Sequence, residues 1–175
     1  MEKFKEIMSY VVIILIVLLI KRFVFTPIRV SGDSMKPNLL DGEVMFLNEI
    51  GYHLNGVKRF DIVVVEKNDD KLIKRVVGLP GETIKYVDNK LYINGEVVEE
   101  PFEHKDTPDF SLEALNLKRI PKGYYFVIGD NRTNSLDSRQ IGLIKKSEIR
   151  GKTNFIIYPF KKWGKVQQLC LFFIK

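Results

Sequence analysis

The chain has 175 residues and a net charge of +6, from 28 Lys and Arg against 22 Asp and Glu. This length suits one domain with a small insert, and a 45% hydrophobic content excludes a disordered chain. A single cysteine excludes an internal disulfide framework and a cysteine-cluster zinc site. Two histidines supply a metal site poorly, and the basic residues form no aromatic-interleaved surface for nucleic acid.

The first 25 residues have the composition of a membrane anchor. Positions 7–20 form an apolar run without a charge, and positions 7–25 as a helix span about 28 Å, close to the ~30 Å hydrocarbon core of a bilayer. A cleaved signal peptide is disfavoured because no small residues follow the run, and a buried core helix because the run is apolar on every face. The flanking Lys and Arg lean weakly towards a cytoplasmic domain.

From Thr26 onward, β-branched and aromatic runs alternate with turn residues, which predicts a β-rich domain. Asn94-Gly95 between apolar runs indicates a tight hairpin. The stretch from Glu99 to Arg119 is charged and contains two prolines, so we expect a mobile loop. The predicted strands lie at 28–30, 44–47, 60–65, 72–78, 83–98 with two internal turns, 124–128 and 153–158. Trp163, among three lysines, suits either an interfacial anchor or a packed core, and the apolar tail 166–174 is too short to span a membrane.

A serine lies in an irregular turn just after the anchor, in the stretch SGDSMKP at 31–37. Gly32 permits an unusual backbone angle two residues before Ser34, and Pro37 disfavours helix at the residue that precedes it. Taken alone, Ser34 is equally explained as an ordinary loop serine.

A lysine and an arginine are adjacent in the strand 72–78. Lys74 shares a face with Leu72 and Val76, and Arg75 lies on the opposite face, so we expect one of the two to face an apolar interior. A lysine can lose its charge there, whereas an arginine cannot. Burial lowers the pKa of a lysine, and a neutral lysine beside a serine hydroxyl is a general base for a nucleophile.

A polar segment, GDNRTNSLDSR at 129–139, follows the strand 124–128. Its density of turn-forming residues suits a hydrated hairpin loop. It equally suits a network of hydroxyls and carboxylates that orients a catalytic base.

The order of these blocks resembles that of bacterial type I signal peptidases. An anchor is followed by SGDSMKPNL, FDIVVV, KRVVGLPGE and GDNRTNSLDSR, and together they cover roughly residues 23–159. The resemblance implies a mainly β signal-peptidase fold with a small β-hairpin cap and one N-terminal transmembrane helix. It also implies a membrane-bound serine endopeptidase that cuts signal peptides from exported preproteins after small residues, with no metal or organic cofactor.

The resemblance also implies roles for particular residues. Ser34 matches the nucleophile and Lys74 the general base, while Ser135 matches a serine that hydrogen-bonds the lysine. The Ser34 N–H matches one oxyanion donor, and Gly32 stands where some family members carry a second donor, a serine hydroxyl. Further matched positions are Ile28, Val30 and Met35 for substrate, and Arg75, Asp130, Asn131, Asp137 and Arg139 for support, the last two as an ion pair.

The implied organisation has four parts: an anchor (1–25), a catalytic β-domain (26–80 and 119–165), a cap (81–118) and an apolar tail (166–175). The implied partners are signal peptides and the lipid bilayer, with the catalytic domain on the extracytoplasmic face of the plasma membrane. Three alternatives stand beside this interpretation. They are a self-cleaving repressor with a serine-lysine pair, an inactive relative that assists the assembly of surface fibres, and a structural membrane-anchored β-domain.

Overall fold

The computed structural model describes residues 2–24, 26–67 and 70–166, and it is mainly β as the sequence predicts. The helices are α1 (Glu2–Val24), α2 (Glu49–Asn55) and α3 (Ser138–Ile141). The strands are β1 (Thr26–Arg29), β2 (Val44–Leu47), β3 (Ile62–Lys67), β4 (Asp70–Gly78), β5 (Ile84–Val87), β6 (Lys90–Ile93), β7 (Glu96–Val98), β8 (Phe110–Ser111), β9 (Tyr124–Ile128), β10 (Ile144–Lys145), β11 (Ile149–Lys152), β12 (Phe155–Tyr158) and β13 (Gly164–Lys165).

Helix α1 covers the predicted anchor, and its side chains at positions 3–16 are exposed, including large apolar ones such as Phe4 and Ile7. Over the part of the chain that the structure describes, no helix is both long enough and apolar enough to cross a membrane. At the other end, the predicted tail lies outside the described residues from position 167 onward. Val166, the last described residue, packs against a buried cluster that includes Val30.

The central sheet has the strand order β10-β9-β4-β3-β11, with every pair antiparallel. The consecutive valines of β3 are buried on both faces, which is typical of a strand inside a core. Their partner β4 is also covered on both faces, so Lys74 and Arg75 are both buried, at 2% and 1% exposure. The expectation that only one of these cations faces the interior is therefore wrong, because the alternation rule assumes a sheet with one face in water.

A second sheet, β1-β2-β12-β13, lies next to the turn that carries Ser34. Its strand β1 pairs with β2, placing Ile28 opposite Met45. Val30, Met35 and Met45 are buried together in one apolar cluster, which holds the beginning of the domain against this sheet.

The region 81–118 forms its own sheet, with the order β7-β6-β5-β8. The Asn94-Gly95 hairpin is confirmed, and both residues have positive φ angles (52° and 89°), as a type I′ turn requires. Ile84 and Tyr86 of this insert share a buried cluster with Phe126 of the central sheet. The insert is thus packed onto the catalytic domain through a continuous apolar core.

Two local expectations are wrong. The stretch 99–119 is packed rather than free, because Phe102 and Thr107 are buried and the chain forms β8 and a 3-10 turn there. Phe60 lies outside β3 in a turn, with a φ angle of 67°. Helix α2 has too few residues to show a helical period in the sequence. The side chain of Asn48 begins it by accepting a hydrogen bond from the Gly51 N–H at 2.6 Å.

Candidate active site

The hydroxyl of Ser34 and the amine of Lys74 form a hydrogen bond of 2.7 Å between Oγ and Nζ. Lys74 projects from the middle of β4, and Ser34 lies on the turn before β2. Gly32 makes this turn with a φ angle of 82°, a region that disfavours side chains, and its N–H donates to Asp41 Oδ1 at 2.8 Å. The structure therefore brings together the two residues matched to nucleophile and base, 40 positions apart in the chain.

Burial lowers the pKa of the Lys74 ammonium from its ordinary value of 10.5 to about 8. The cause is desolvation, which disfavours the charged form, while the carboxylates of Asp137 and Asp130 act in the opposite direction. Among the described residues, the Lys74 amine makes one other hydrogen bond, which it donates to the carbonyl of Ile73 at 3.1 Å. A substantial fraction of this lysine is thus neutral at mildly alkaline pH, and a neutral amine can accept the Ser34 proton.

The segment 129–139 packs directly on the Ser34 turn. The Asn131 N–H donates to the Ser34 carbonyl and its side-chain amide donates to the Asp33 carbonyl, both at 3.0 Å. Gly129 leaves no room for a side chain, because a Cβ there would contact both the Ser34 carbonyl oxygen and Ser135 Oγ. These contacts hold the backbone of Asp33 and Ser34 in place.

Arg75, the neighbour of Lys74 in the chain, forms a buried, bidentate ion pair with Asp130, with N–O distances of 2.8 and 2.6 Å. Arg75 also donates to the carbonyl of Phe60 at 3.1 Å. Asn38 donates to Asp130 Oδ2 at 2.8 Å and thereby ties the end of the serine turn to the same carboxylate. Sequence reasoning missed Asn38, because its partner lies 92 positions away in the chain.

Asp137 and Arg139 form the expected ion pair, at 2.8 Å. The Asp137 carboxylate also begins helix α3 and accepts the Gly129 N–H at 3.1 Å. The hydrogen bond expected between Ser135 and Lys74 is absent. Both residues are described by the structure, and the buried Ser135 Oγ has no hydrogen-bond partner among the described residues. Ser135 instead packs against Gly129, and the lysine amine is directed to Ser34 and to its own strand.

A groove of about 450 Å³ opens beside the pair. Its walls include Ile28 from β1, Val30 just after that strand, Met35 from the serine turn, and Leu72 and Leu136. The apolar walls suit small aliphatic side chains of an extended peptide. No group of three His, Cys, Asp or Glu side chains suited to a metal ion occurs within the described ranges.

The comparisons with known proteins agree with this geometry. The family described as "Signal peptidase, peptidase S26" matches residues 4–158. The chain belongs to this family. It is 41% identical over 163 residues to signal peptidase I T of Bacillus subtilis, covering 88% of this chain and 84% of that protein. It is 39% identical over 178 residues to signal peptidase IB of Staphylococcus aureus strain Mu50, covering 93% of each.

A crystal structure of a signal peptidase I from Enterococcus faecalis V583 is similar to this one, with a TM-score of 0.51 and 39% identity. The match covers 55% of this chain and 95% of the crystallised one. The resemblance inferred from the order of the motifs is therefore confirmed, and the activity is that of a type I signal peptidase, a serine endopeptidase.

Proposed function

We propose that this signal peptidase is membrane-bound and removes N-terminal signal peptides by a serine-lysine mechanism. Neutral Lys74 takes the proton of Ser34 Oγ as that oxygen attacks the scissile carbonyl carbon. The resulting ammonium returns the proton to the leaving amine when the C–N bond breaks. A water, deprotonated by the same amine, then hydrolyses the acyl-enzyme and restores Ser34. The observation that carries this proposal is the 2.7 Å contact between the two side chains.

The oxyanion of the tetrahedral intermediate needs hydrogen-bond donors. The Ser34 N–H is the proposed donor on the chain, and Gly32 offers no hydroxyl as a second one. Open space surrounds the position where a side chain of Gly32 would begin, with no heavy atom within 4 Å. A water or a substrate group in this space can reach the oxyanion, so the missing hydroxyl does not exclude the mechanism.

The proposed cleavage rule follows from the groove. An extended signal peptide lies along β1, because its backbone can pair with a strand edge, and alternate side chains then point to Ile28 and Val30. The groove next to Ser34 is lined by aliphatic side chains and by buried Met35, which suits small aliphatic side chains such as that of alanine. We therefore propose a preference for small residues at the first and third positions before the cut.

Membrane attachment is proposed from the sequence of α1 and from two exposed surfaces. The apolar side chains at positions 3–16 face solvent instead of packing on the domain. At the opposite end of the chain, Phe160 and Trp163 are 75% and 56% exposed beside Lys161 and Lys162. Exposed aromatic rings with flanking lysines suit the headgroup region of a bilayer. Trp163 is thus neither fully packed nor isolated, since it stacks on Phe160.

The orientation that we propose places the catalytic domain on the extracytoplasmic face. The cleavage sites of exported proteins emerge on that side. The weak charge asymmetry around α1 leans the other way, but an excess of one cation is a small preference that other parts of a protein override. Protease accessibility of the domain in sealed right-side-out vesicles tests this orientation, and complete protection would contradict it.

A reconstituted cleavage assay tests the mechanism. A preprotein with an Ala-x-Ala site is incubated in lipid with the wild type, Ser34→Ala or Lys74→Ala, and the cut is located by mass. The exposed Ser147→Ala and Lys122→Ala serve as matched controls. We expect cleavage after the small residue by the wild type and both controls, and none by folded Ser34→Ala or Lys74→Ala. Cleavage by Lys74→Ala would show that the base is misassigned.

A further inference from the structure

The insert contacts the catalytic domain through residues 100–107, the segment between β7 and β8, which we call the strap. The strap follows β7 and runs under the residues that support the nucleophile and the base. Its backbone makes two contacts there. The Glu103 carbonyl accepts a hydrogen bond from Asn38 at 2.6 Å, and the Lys105 N–H donates to the carbonyl of Asp130 at 3.1 Å.

Phe102, the buried apolar residue of the strap, covers the arginine next to the catalytic lysine. Its ring centre lies 3.8 Å from the guanidinium carbon of Arg75, and its side chain packs edge-on against Phe60 at 5.3 Å. A ring at this distance stabilises a cation and keeps water from it. Phe102 therefore closes off the buried ion pair that Arg75 forms with Asp130.

Glu100 holds a second buried cation, Arg132 in the segment 129–139. Two N–O contacts of 2.6 and 3.1 Å join the side chains, of which Arg132 is fully buried and Glu100 is 4% exposed. Arg132 also donates to Thr107 Oγ1 of the strap at 2.6 Å. Nearly all the side-chain partners of this arginine thus belong to the insert, while its own backbone belongs to the catalytic segment.

Arg75 and Arg132 connect the strap to the turn that carries Ser34. Arg132 Nε donates to the carbonyl of Gly129 at 3.1 Å, and Gly129 lies against the carbonyl oxygen of Ser34. Asn131, between Asp130 and Arg132, donates its N–H to that same carbonyl. Glu100 is therefore linked to Ser34 through Arg132 and Gly129. Phe102 is linked to it through Arg75, Asp130 and Asn131.

We propose that the strap is a positioning element for the Ser34–Lys74 pair, with Glu100 and Phe102 as its positioning residues. The proposal rests on the proposed serine-lysine mechanism. On this proposal the insert contributes to the chemical step, because its contacts with Arg75 and Arg132 determine the position of Ser34 relative to Lys74. A displacement of about 1 Å between reacting groups can lower a rate ~100-fold, so loss of either contact is expected to act mainly on kcat.

The test uses the full chain in lipid with three single variants of the strap and two controls. Phe102→Ala removes the ring, Phe102→Leu keeps an apolar cover without an aromatic face, and Glu100→Gln keeps the shape of the side chain without its charge. Val97→Ala and Glu96→Gln, exposed positions in β7 of the same insert, are the matched controls. Because His104 also lies 3.3 Å from Glu100, all variants are compared at one pH.

Two quantities are measured at a temperature where each variant is folded: kcat and KM for preprotein cleavage, and hydrogen exchange of the Asn131 N–H. We expect Phe102→Ala and Glu100→Gln to lower kcat at least 10-fold with KM within about twofold, Phe102→Leu to lie between, and the controls to match the wild type. Exchange at Asn131 should accelerate, while exchange of the Asn48 N–H, bonded to the Lys152 carbonyl, stays unchanged. A purely stabilising role would accelerate both amides alike.

Unchanged kcat and unchanged Asn131 exchange in folded Phe102→Ala would overturn the proposal. If Phe102→Ala and Glu100→Gln fail to fold, Phe102→Leu decides by the same two criteria. Ser34→Ala is assayed alongside. Cleavage retained in Ser34→Ala would refute the serine-lysine mechanism instead, and exchange at Asn131 would still show whether the strap holds the turn.

Discussion

The buried Lys74 leads to a prediction about stability that is independent of any substrate. Its folded-state pKa of about 8 lies below the ordinary 10.5, so the unfolded chain binds more protons between these two values. The wild type should therefore gain stability as the pH rises from about 8 to 10.5, and the full penalty for the buried charge is present below pH 8. A shift of this size corresponds to about 3 kcal/mol.

Lys74→Met removes the charge and keeps an unbranched side chain of similar length. It also removes the hydrogen bond to Ser34 Oγ, a loss of about 1 kcal/mol, and that hydroxyl can bond to water in the open groove instead. The penalty for the buried charge is larger than the loss of this hydrogen bond, so it decides whether the variant is more or less stable. We expect Lys74→Met to be about 2 kcal/mol more stable than the wild type at pH 7 and slightly less stable by pH 10.5, where the charge penalty is gone and only the lost hydrogen bond remains.

The assay is urea unfolding from pH 6.5 to 10.5, with the exposed Lys122→Met as the control for loss of a lysine. Cleavage gives a second readout on the wild type. The kcat/KM value should rise with pH and level off above the pKa of the base, about 8, since about half of Lys74 is neutral there against ~1 in 300 for an unperturbed lysine. A Lys74→Met variant that is less stable at pH 7, or a pH-independent difference, would refute the reasoning.

Three further predictions concern the residues around the pair. Asp130→Asn leaves Arg75 buried without its counter-charge, so we expect a loss of about 3–5 kcal/mol in urea unfolding, and a loss under 1 kcal/mol would contradict it. Gly129→Ala places a methyl group against the Ser34 carbonyl, and cleavage should fall at least ~10-fold; a fully active Gly129→Ala would show that the turn shifts freely. Ser135→Ala deletes a buried hydroxyl without a partner, so stability should stay within about 1 kcal/mol and turnover close to that of the wild type; a large loss of turnover would show that this hydroxyl contacts the lysine during the reaction.

The parts of the fold that the sequence predicts are those governed by local rules. Runs of β-branched residues predict β3 and β9, and an Asn-Gly pair predicts the hairpin between β6 and β7. The pairing of Ser34 with Lys74 followed from chemistry and resemblance together, since one block alone is explained equally well by an ordinary loop. These features need few long-range contacts to be specified.

The features that were missed depend on partners far away in the chain. Glu99 to Arg119 looks like a solvated loop because of its charges and prolines, yet Glu100 is neutralised by an arginine 32 positions later. The role of Asn38 becomes visible only through its hydrogen bond to Asp130. The hydrogen bond expected at Ser135 depends on side-chain directions at sub-ångström precision, which a motif match does not contain. Polar pairs between distant residues produce no periodic pattern in a sequence. A prediction from composition therefore places such residues at the surface.

The two adjacent cations on β4 show why the site needs both kinds of basic residue. A strand buried on both faces puts one cation on each side of the sheet, and each must avoid an isolated buried charge. Burial lowers the pKa of Lys74 to about 8, so this lysine gives up its proton more readily than an ordinary one and can act as the proposed base. Arg75 cannot lose a proton and is instead neutralised by Asp130. The Asp130 carboxylate also acts on Lys74: it raises the pKa of the ammonium, against the larger effect of burial, and so reduces the neutral fraction of the lysine at neutral pH.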